Sequence, residues 1–428
     1  MKTVLIVVDS LKSTAPGYAG GIDTPFLDSL AEQGTIFNQM FASGAWTTPS
    51  LMSMLTGILG HRVGIARWRH PFPRGLPNLL TAFSSAGHQV SCFHPYPNWG
   101  LLTIPDTGKV LSSQQPDDIV ETLRGAGDQF VLIHHWWTHL PYTNRELSLE
   151  AWHRLCHFQL ESLRKHPEKM AGKLEADYLQ CVKYFSEQLL PRYLDAASQG
   201  GDDVVLVVTG DHGETWGESH PAGYRVQNVY DLHGRWITDE TVQVPLVCYG
   251  KNIPAGQTLG GFARGVDIAP TLCELSGVPW PGPAPADDGQ GTIARNLSET
   301  DMLGLSLAQS IYDGTSSPHG EALTVSSHNA FVPRTYPDKG TDLWRLMALR
   351  QKNEWLIWDG VSGQKSRSES NGYEENVDLD NPEVFTLLEA ARAEAVDPGE
   401  LVAETALDDL RGDTALVEER LRCLGYLE

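Results

Sequence analysis

Three places in this sequence put hard, metal-ligating side chains directly after short apolar runs. Asp9 follows Val4–Val8, Asp211 and His212 follow Val204–Thr209 through Gly210, and His134 with His135 closes Phe130–Ile133. Carboxylates and imidazoles in this mixture suit one divalent ion and accept Zn²⁺, Mn²⁺ or Mg²⁺. A fourth segment, Trp46-Thr47-Thr48-Pro49-Ser50 running to Gly57, brings hydroxyls to the start of a helix. A hydroxyl there serves as an N-cap, with Pro tolerated in the first turn and Gly as the stop. Beside a metal, the same hydroxyl is a nucleophile towards an anionic ester drawn to the helix N-terminus. Asp9 alone also reads as a turn or cap residue.

The elements that must position these residues alternate strand and helix through roughly the first 280 residues. Val4–Val8, Gln89–Phe93, Phe130–His134, Val204–Val208 and Val244–Tyr249 are short apolar runs of strand type. Thr24–Gln33, Leu147–Lys165, Leu174–Ser198 and Asp267–Leu275 carry helical periodicity, the last with Pro270 in its first turn and Gly277 beyond it. Such alternation predicts an α/β fold: a central, mostly parallel sheet with helices on both faces. In such sheets ligands gather beyond the carboxyl ends of the strands, where Asp9, His134 and Asp211 fall. The Pro/Gly-rich stretch Pro279–Asp288 divides 1–280 from 281–428. Past it, Trp344–Leu349 and Glu354–Trp358 predict an antiparallel pair within a small C-terminal α+β subdomain. Gly363–Asn376 reads as a polar loop and Leu416–Leu424 as a terminal helix.

The chain has 428 residues, 32 Lys+Arg against 54 Asp+Glu, and a formal charge of −22, which disfavours nucleic acid as a partner. No stretch approaches the ~18 apolar residues of a membrane helix, and the N-terminus lacks the apolar region of a signal peptide. A cytoplasmic location is the expectation, with no membrane partner. The six cysteines stand singly and predict core packing. An anionic small-molecule substrate would need local positive charge; Arg62, Arg67, Trp68, Arg69 and His70 form the densest basic-aromatic cluster.

The blocks Asp9-Ser10-Leu11-Lys12, Thr24–Gly34, Thr47-Thr48-Pro49-Ser50, Leu55-Thr56-Gly57, His139-Leu140-Pro141-Tyr142, Gly210–Glu214, His233-Gly234, Val244-Pro245-Leu246 and Val266–Thr271 run in one order along the chain. Together they resemble the sulfatase-like branch of the alkaline phosphatase superfamily. The resemblance implies an alkaline-phosphatase-like fold and a metal-dependent hydrolase or transferase. It also departs from the sulfatase pattern: Thr47 stands where formylglycine is made, Leu51 where an Arg is expected, Ser10 where a second Asp is expected, and His212 where an Asn is common. Threonine does not undergo that oxidation. Thr47 with an Asp-His pair is instead similar to phosphodiesterases and phosphoryl-head-group transferases of the superfamily.

The resemblance implies Asp9, Asp211, His212 and Thr47 as ligands of one favoured divalent ion, with a second site open. Thr47 attacks phosphorus or sulfur, giving a covalent ester released to water or to an acceptor hydroxyl. His139 matches a substrate-side His of relatives, His220 and His233 lie in the segment where relatives place one Lys or His facing the substrate, and Lys12 stands in place of a common Arg. Lys12, Arg62, Arg67 and His135 complete the expected substrate-binding set. Two alternatives stand beside this phosphoester reading: sulfate-ester or sulfamate chemistry without formylglycine, and an inactive relative that only binds.

Overall fold

The computed structural model describes residues 1–63, 72, 76–94, 109–111, 115–145, 147–217, 226, 231–282, 303–326, 346–351, 353–359, 363–369, 372–375 and 388. The elements run β1 (Lys2–Val8), α1 (Pro25–Glu32), β2 (Thr35–Phe41), α2 (Thr47–Thr56), α3 (Gly60–Val63), α4 (Leu79–Ser85), β3 (Gln89–Phe93), β4 (Lys109–Leu111), α5 (Pro116–Leu123) and β5 (Gln129–His135). They continue with α6 (Leu149–Lys165), α7 (Pro167–Tyr184), α8 (Leu190–Ser198), β6 (Val204–Gly210), α9 (Asp239–Val242), β7 (Gln243–Gly250), β8 (Gln257–Leu259), β9 (Ala263–Arg264), α10 (Ile268–Leu275) and α11 (Ala308–Asp313). Last come β10 (Glu321–Ser326), β11 (Leu346–Gln351), β12 (Glu354–Asp359), β13 (Lys365–Glu369) and β14 (Gly372–Glu375).

The central sheet has the order β4-β3-β5-β1-β6-β7-β2-β8, with β9 also paired to β2. β1 lies in the middle, parallel to both β5 and β6, and every residue of these three strands is buried. That is why β1 and β6 read as nearly continuous Val/Leu/Ile runs: helices cover both of their faces. Among the described strands of this sheet only β7 runs antiparallel to its neighbours, β6 and β2, so the mostly parallel expectation holds. The register Val8↔His135 and Val8↔Gly210 aligns the carboxyl ends of the three central strands. Asp9, His134 and Asp211 therefore emerge along one edge, at the level where ligands collect.

α2 is buried along its whole length, so every one of its ten residues packs inside. The segment leading into it is held by the second sheet, which is antiparallel in the order β10-β11-β12-β13-β14. Ala45 N donates to Val325 O at 3.2 Å, Val325 N to Ser43 O at 3.1 Å, and Thr324 Oγ1 to Ala42 O at 2.7 Å. Trp355 adds an edge-to-face contact with Phe41 at 5.5 Å, and its Nε1 donates to Asp239 at 2.8 Å. The second sheet thus shares the main core and braces the turn that delivers Thr47.

Two local expectations change. β13 and β14 occupy the stretch expected to be a polar loop. Its Lys-Ser-Arg-Ser-Glu alternation carries period two with serine, not a hydrophobe, on the inward face; Ser366 and Ser368 are buried. The helix expected over Leu174–Ser198 is α7 and α8 joined by a π-turn at Phe185–Leu189. Pro191 cannot donate back to Glu187, and the widened turn absorbs the missing bond. β2 has no clean alternation, because Asn38 and Gln39 bulge between Phe37 and Met40. The terminal helix expectation falls outside the described residues. Five cysteines among the described residues are buried and stand in no disulfide.

Candidate metal centre and transfer site

Asp9, His134 and Asp211 converge at the ends of β1, β5 and β6, with one donor atom from each lying within 4.8 Å of the others and all three buried. His134 Nε2 is 3.5 Å from Asp9 Oδ2 and 3.4 Å from Asp211 Oδ2. His212 Nε2 also reaches the pair, 3.5 Å from Asp211 Oδ2 and 3.7 Å from Asp9 Oδ1. Its Nδ1 bonds to Gly213 O at 2.8 Å, which turns Nε2 towards the carboxylates. Thr47 Oγ1 completes the group, 3.2 Å from His212 Nε2.

The loops are built to hold this arrangement. Ser10 adopts φ 59°, a left-handed conformation that a non-glycine residue rarely takes. The turn aims its backbone N–H at Asp211 Oδ1 at 3.1 Å, while its hydroxyl bonds Asp9 Oδ1 at 2.8 Å. Tyr178 on α7 locks the turn, donating to Ser10 O at 3.0 Å and accepting from Lys12 N at 2.9 Å. Gly213 is required by a close approach: a Cβ there would lie 2.0 Å from the Glu240 carbonyl oxygen. Thr47 is the first residue of α2, and Trp46 before it makes no side-chain cap. The hydroxyl expected to cap the helix is turned to His212 instead.

Electrostatics favour a cation. Asp9 Oδ2 accepts no hydrogen bond among the described residues. Burial and the neighbouring Asp211 hold the Asp9 carboxyl well above its usual range. Burial pushes Asp211 up as well, but His212, His134 and the Ser10 N–H outweigh it and hold it below that range. Burial also depresses His212, keeping its imidazole neutral and fit to donate a lone pair. Two carboxylates crowded in a dry site, one with an oxygen left without a donor, fit a divalent ion.

A second group stands beside the first. The His233 ring is 4.5 Å from that of His212 and 5.4 Å from that of His139. His139 stacks on Trp136 at 4.3 Å and its Nδ1 bonds Leu140 O at 2.8 Å. Burial lowers His139 to about 3 and His233 to about 4, and raises Glu214 to about 7.

The remaining expected residues fall in different places. His135 alternates to the opposite face of β5 from His134, packing among Phe185, Tyr193 and Trp137, so it joins neither the carboxylates nor His139. Lys12 Nζ sits 4.8 Å over Trp216 and 3.6 Å from Glu175. Arg62 is buried on α3. Arg67 and His220 fall outside the described residues. His134 was legible as a strand-end residue but absent from the ligand set the resemblance implied. Glu214 and Tyr142 had no separate signal beyond their place in the quoted blocks.

The sulfatase family model matches residues 2–102 and 108–278, well over half of the chain. The chain belongs to the sulfatase family. It is similar to the low-salt glycan biosynthesis sulfotransferase Agl7 of Haloferax volcanii, 28% identical over 256 residues, 55% of this chain and 54% of that protein. The chain thus spans about half the length of that relative, or less in the others it matches. Among solved structures, the phosphonate monoester hydrolase of Agrobacterium radiobacter superposes with TM-score 0.61 at 18% identity, covering 95% of this chain and 98% of that one. A 2-O GAG sulfatase superposes with TM-score 0.64 at 17% identity, covering 99% and 96%. At these identities the structures bear on fold, which is that of the sulfatase and alkaline phosphatase enzymes. Among the described residues no helix is long and apolar enough to cross a membrane.

Proposed function

We propose that this chain transfers a tetrahedral phosphoryl or sulfuryl group from an anionic ester, through a covalent ester on Thr47. The observation that carries the reading is Thr47 Oγ1 at the buried start of α2, 3.2 Å from His212 Nε2 and not engaged as a cap. Asp9, Asp211 and His212, with His134 beside them, would hold one divalent ion. Such an ion supplies Lewis-acid stabilisation of the anionic group and a lowered hydroxyl pKa. The protein's own part is positional. α2 presents the Thr47 oxygen, its N-terminal amides favour the incoming anion, and His139 and His233 line the same side. The domain division proposed is a catalytic unit over 1–280 with 281–428 as an accessory subdomain that braces the nucleophile turn.

Phosphate or phosphonate esters are the first reading, since a threonine nucleophile needs no formylglycine. The similarity to a sulfotransferase over more than half of this chain favours sulfuryl transfer as the second. Paired nitrophenyl phosphate, phosphonate and sulfate esters, offered to metal-loaded protein with and without an alcohol acceptor, separate the two. Turnover of the phosphorus esters supports the first reading, and turnover of the sulfate alone replaces it with the second. No turnover of any ester under either condition would overturn the proposal.

A further inference from the structure

Glu214 is a fully buried acid that the transfer scheme leaves without a task. Its Oε1 lies 2.7 Å from His233 Nδ1, and its Oε2 accepts from the Tyr142 hydroxyl at 2.8 Å. Tyr142 in turn accepts from Trp216 Nε1 at 3.2 Å. The backbone around the acid is pinned as well: Gly213 N donates to Thr241 O at 2.8 Å, Glu214 N to Glu240 O at 3.0 Å, and Thr215 N to Leu232 O at 2.9 Å. Gln159 on α6 brackets the Tyr142 main chain, accepting from its N at 3.0 Å and donating to its O at 3.3 Å. The carboxylate is therefore fixed from several elements at once, and the imidazole must conform to it rather than the reverse.

We infer that Glu214 is a positioning residue for His233. By engaging Nδ1 it sets the ring's orientation and tautomer, so that chemistry at this imidazole falls to Nε2. The ring lies beside His212, whose own Nε2 meets the Thr47 oxygen. With Nδ1–H given to Glu214, Nε2 of the neutral ring keeps its lone pair and serves as the proton acceptor for the water or acceptor hydroxyl that attacks the Thr47 ester, and Glu214 acts only through it. A carboxylate behind a functional imidazole performs this orienting task in many sites. The inference deepens the proposed function and rests on Thr47 as nucleophile.

The test compares metal-loaded wild type with Glu214→Ala, Glu214→Gln, His233→Ala and the Glu214→Ala/His233→Ala pair, using whichever nitrophenyl ester the wild type turns over. Glu214→Ala should lower kcat about 10–100-fold with KM and metal content little changed. The double variant should be no slower than His233→Ala, because both changes remove one function. Glu214→Gln, whose carbonyl still accepts from Nδ1–H, should restore most of the rate. Independently of activity, ring-nitrogen NMR of His233 should report one tautomer in wild type and Glu214→Gln, and an averaged one in Glu214→Ala. Wild-type kcat in Glu214→Ala, losses that multiply in the double variant, or metal lost from Glu214→Ala would each overturn the inference. A fully active Thr47→Ala would instead sink the nucleophile reading while leaving the NMR result standing.

Discussion

Replacing Asp9 by Asn should stabilise the metal-free protein and destabilise the metal-loaded one. The donor oxygens of Asp9 and Asp211 lie no more than 4.8 Å apart in a fully buried site. Two unit charges at that separation repel by roughly 3 kcal/mol at an effective dielectric near 20. Asn keeps Oδ1 as acceptor for the Ser10 hydroxyl and puts an N–H₂ donor where Oδ2 now accepts nothing. The sign with pH follows from the direction of the shift. Asp9 is raised above its usual 3.8, so the metal-free wild type is stable while Asp9 holds its proton. That stability is lost as pH rises from the unfolded value through the raised one. The advantage of Asn should thus be near zero around pH 4 and approach roughly 3 kcal/mol once Asp9 ionises. Urea unfolding of chelator-treated wild type and Asp9→Asn at acidic and at alkaline pH measures it, and adding metal back should reverse the order. A metal-free Asn variant no more stable than wild type at alkaline pH would refute the reasoning.

Other outcomes follow from the same geometry. His134→Ala should weaken divalent-metal binding by at least about tenfold, and Zn²⁺ more than Mg²⁺, because an imidazole donor is lost; calorimetric titration reads both. Metal uptake should release protons and tighten as pH rises, since Asp9 must give up its raised proton, and titration in buffers of different ionisation enthalpy counts them. Gly213→Ala should cost about 1–3 kcal/mol, because its Cβ would fall on the Glu240 carbonyl and push the loop away from α9; a thermal melt equal to wild type would contradict that.

The strand-end residues were legible because β1 and β6 are buried on both faces and therefore carry uninterrupted apolar runs, which makes the first polar residue conspicuous. β2 was not, because its bulge breaks the alternation and its partner β7 lies more than 200 residues away in sequence. The serine-lined pair β13–β14 escaped for a related reason: small polar residues occupy its inward face. At the site, Asp9, Asp211, His212 and Thr47 are brought together as residue type and order suggested. His135 shows where spacing misleads. It was expected with the substrate-binding set, but it is the last residue of a strand, and period two turns it away from His134. The Glu214–His233 pairing depends on loops that fold against α9 and α6, contacts no local pattern encodes.

The most direct test of the account is turnover by metal-loaded Thr47→Ala, measured beside its metal content and melting temperature. Among the described residues the hydroxyl makes one hydrogen bond, to His212, so its loss should cost only about 1 kcal/mol of stability and leave the ion bound. Ester turnover should fall by roughly a thousandfold or more, since the oxygen that forms the covalent bond is gone. Wild-type turnover by a folded, metal-replete Thr47→Ala would contradict the account at its centre.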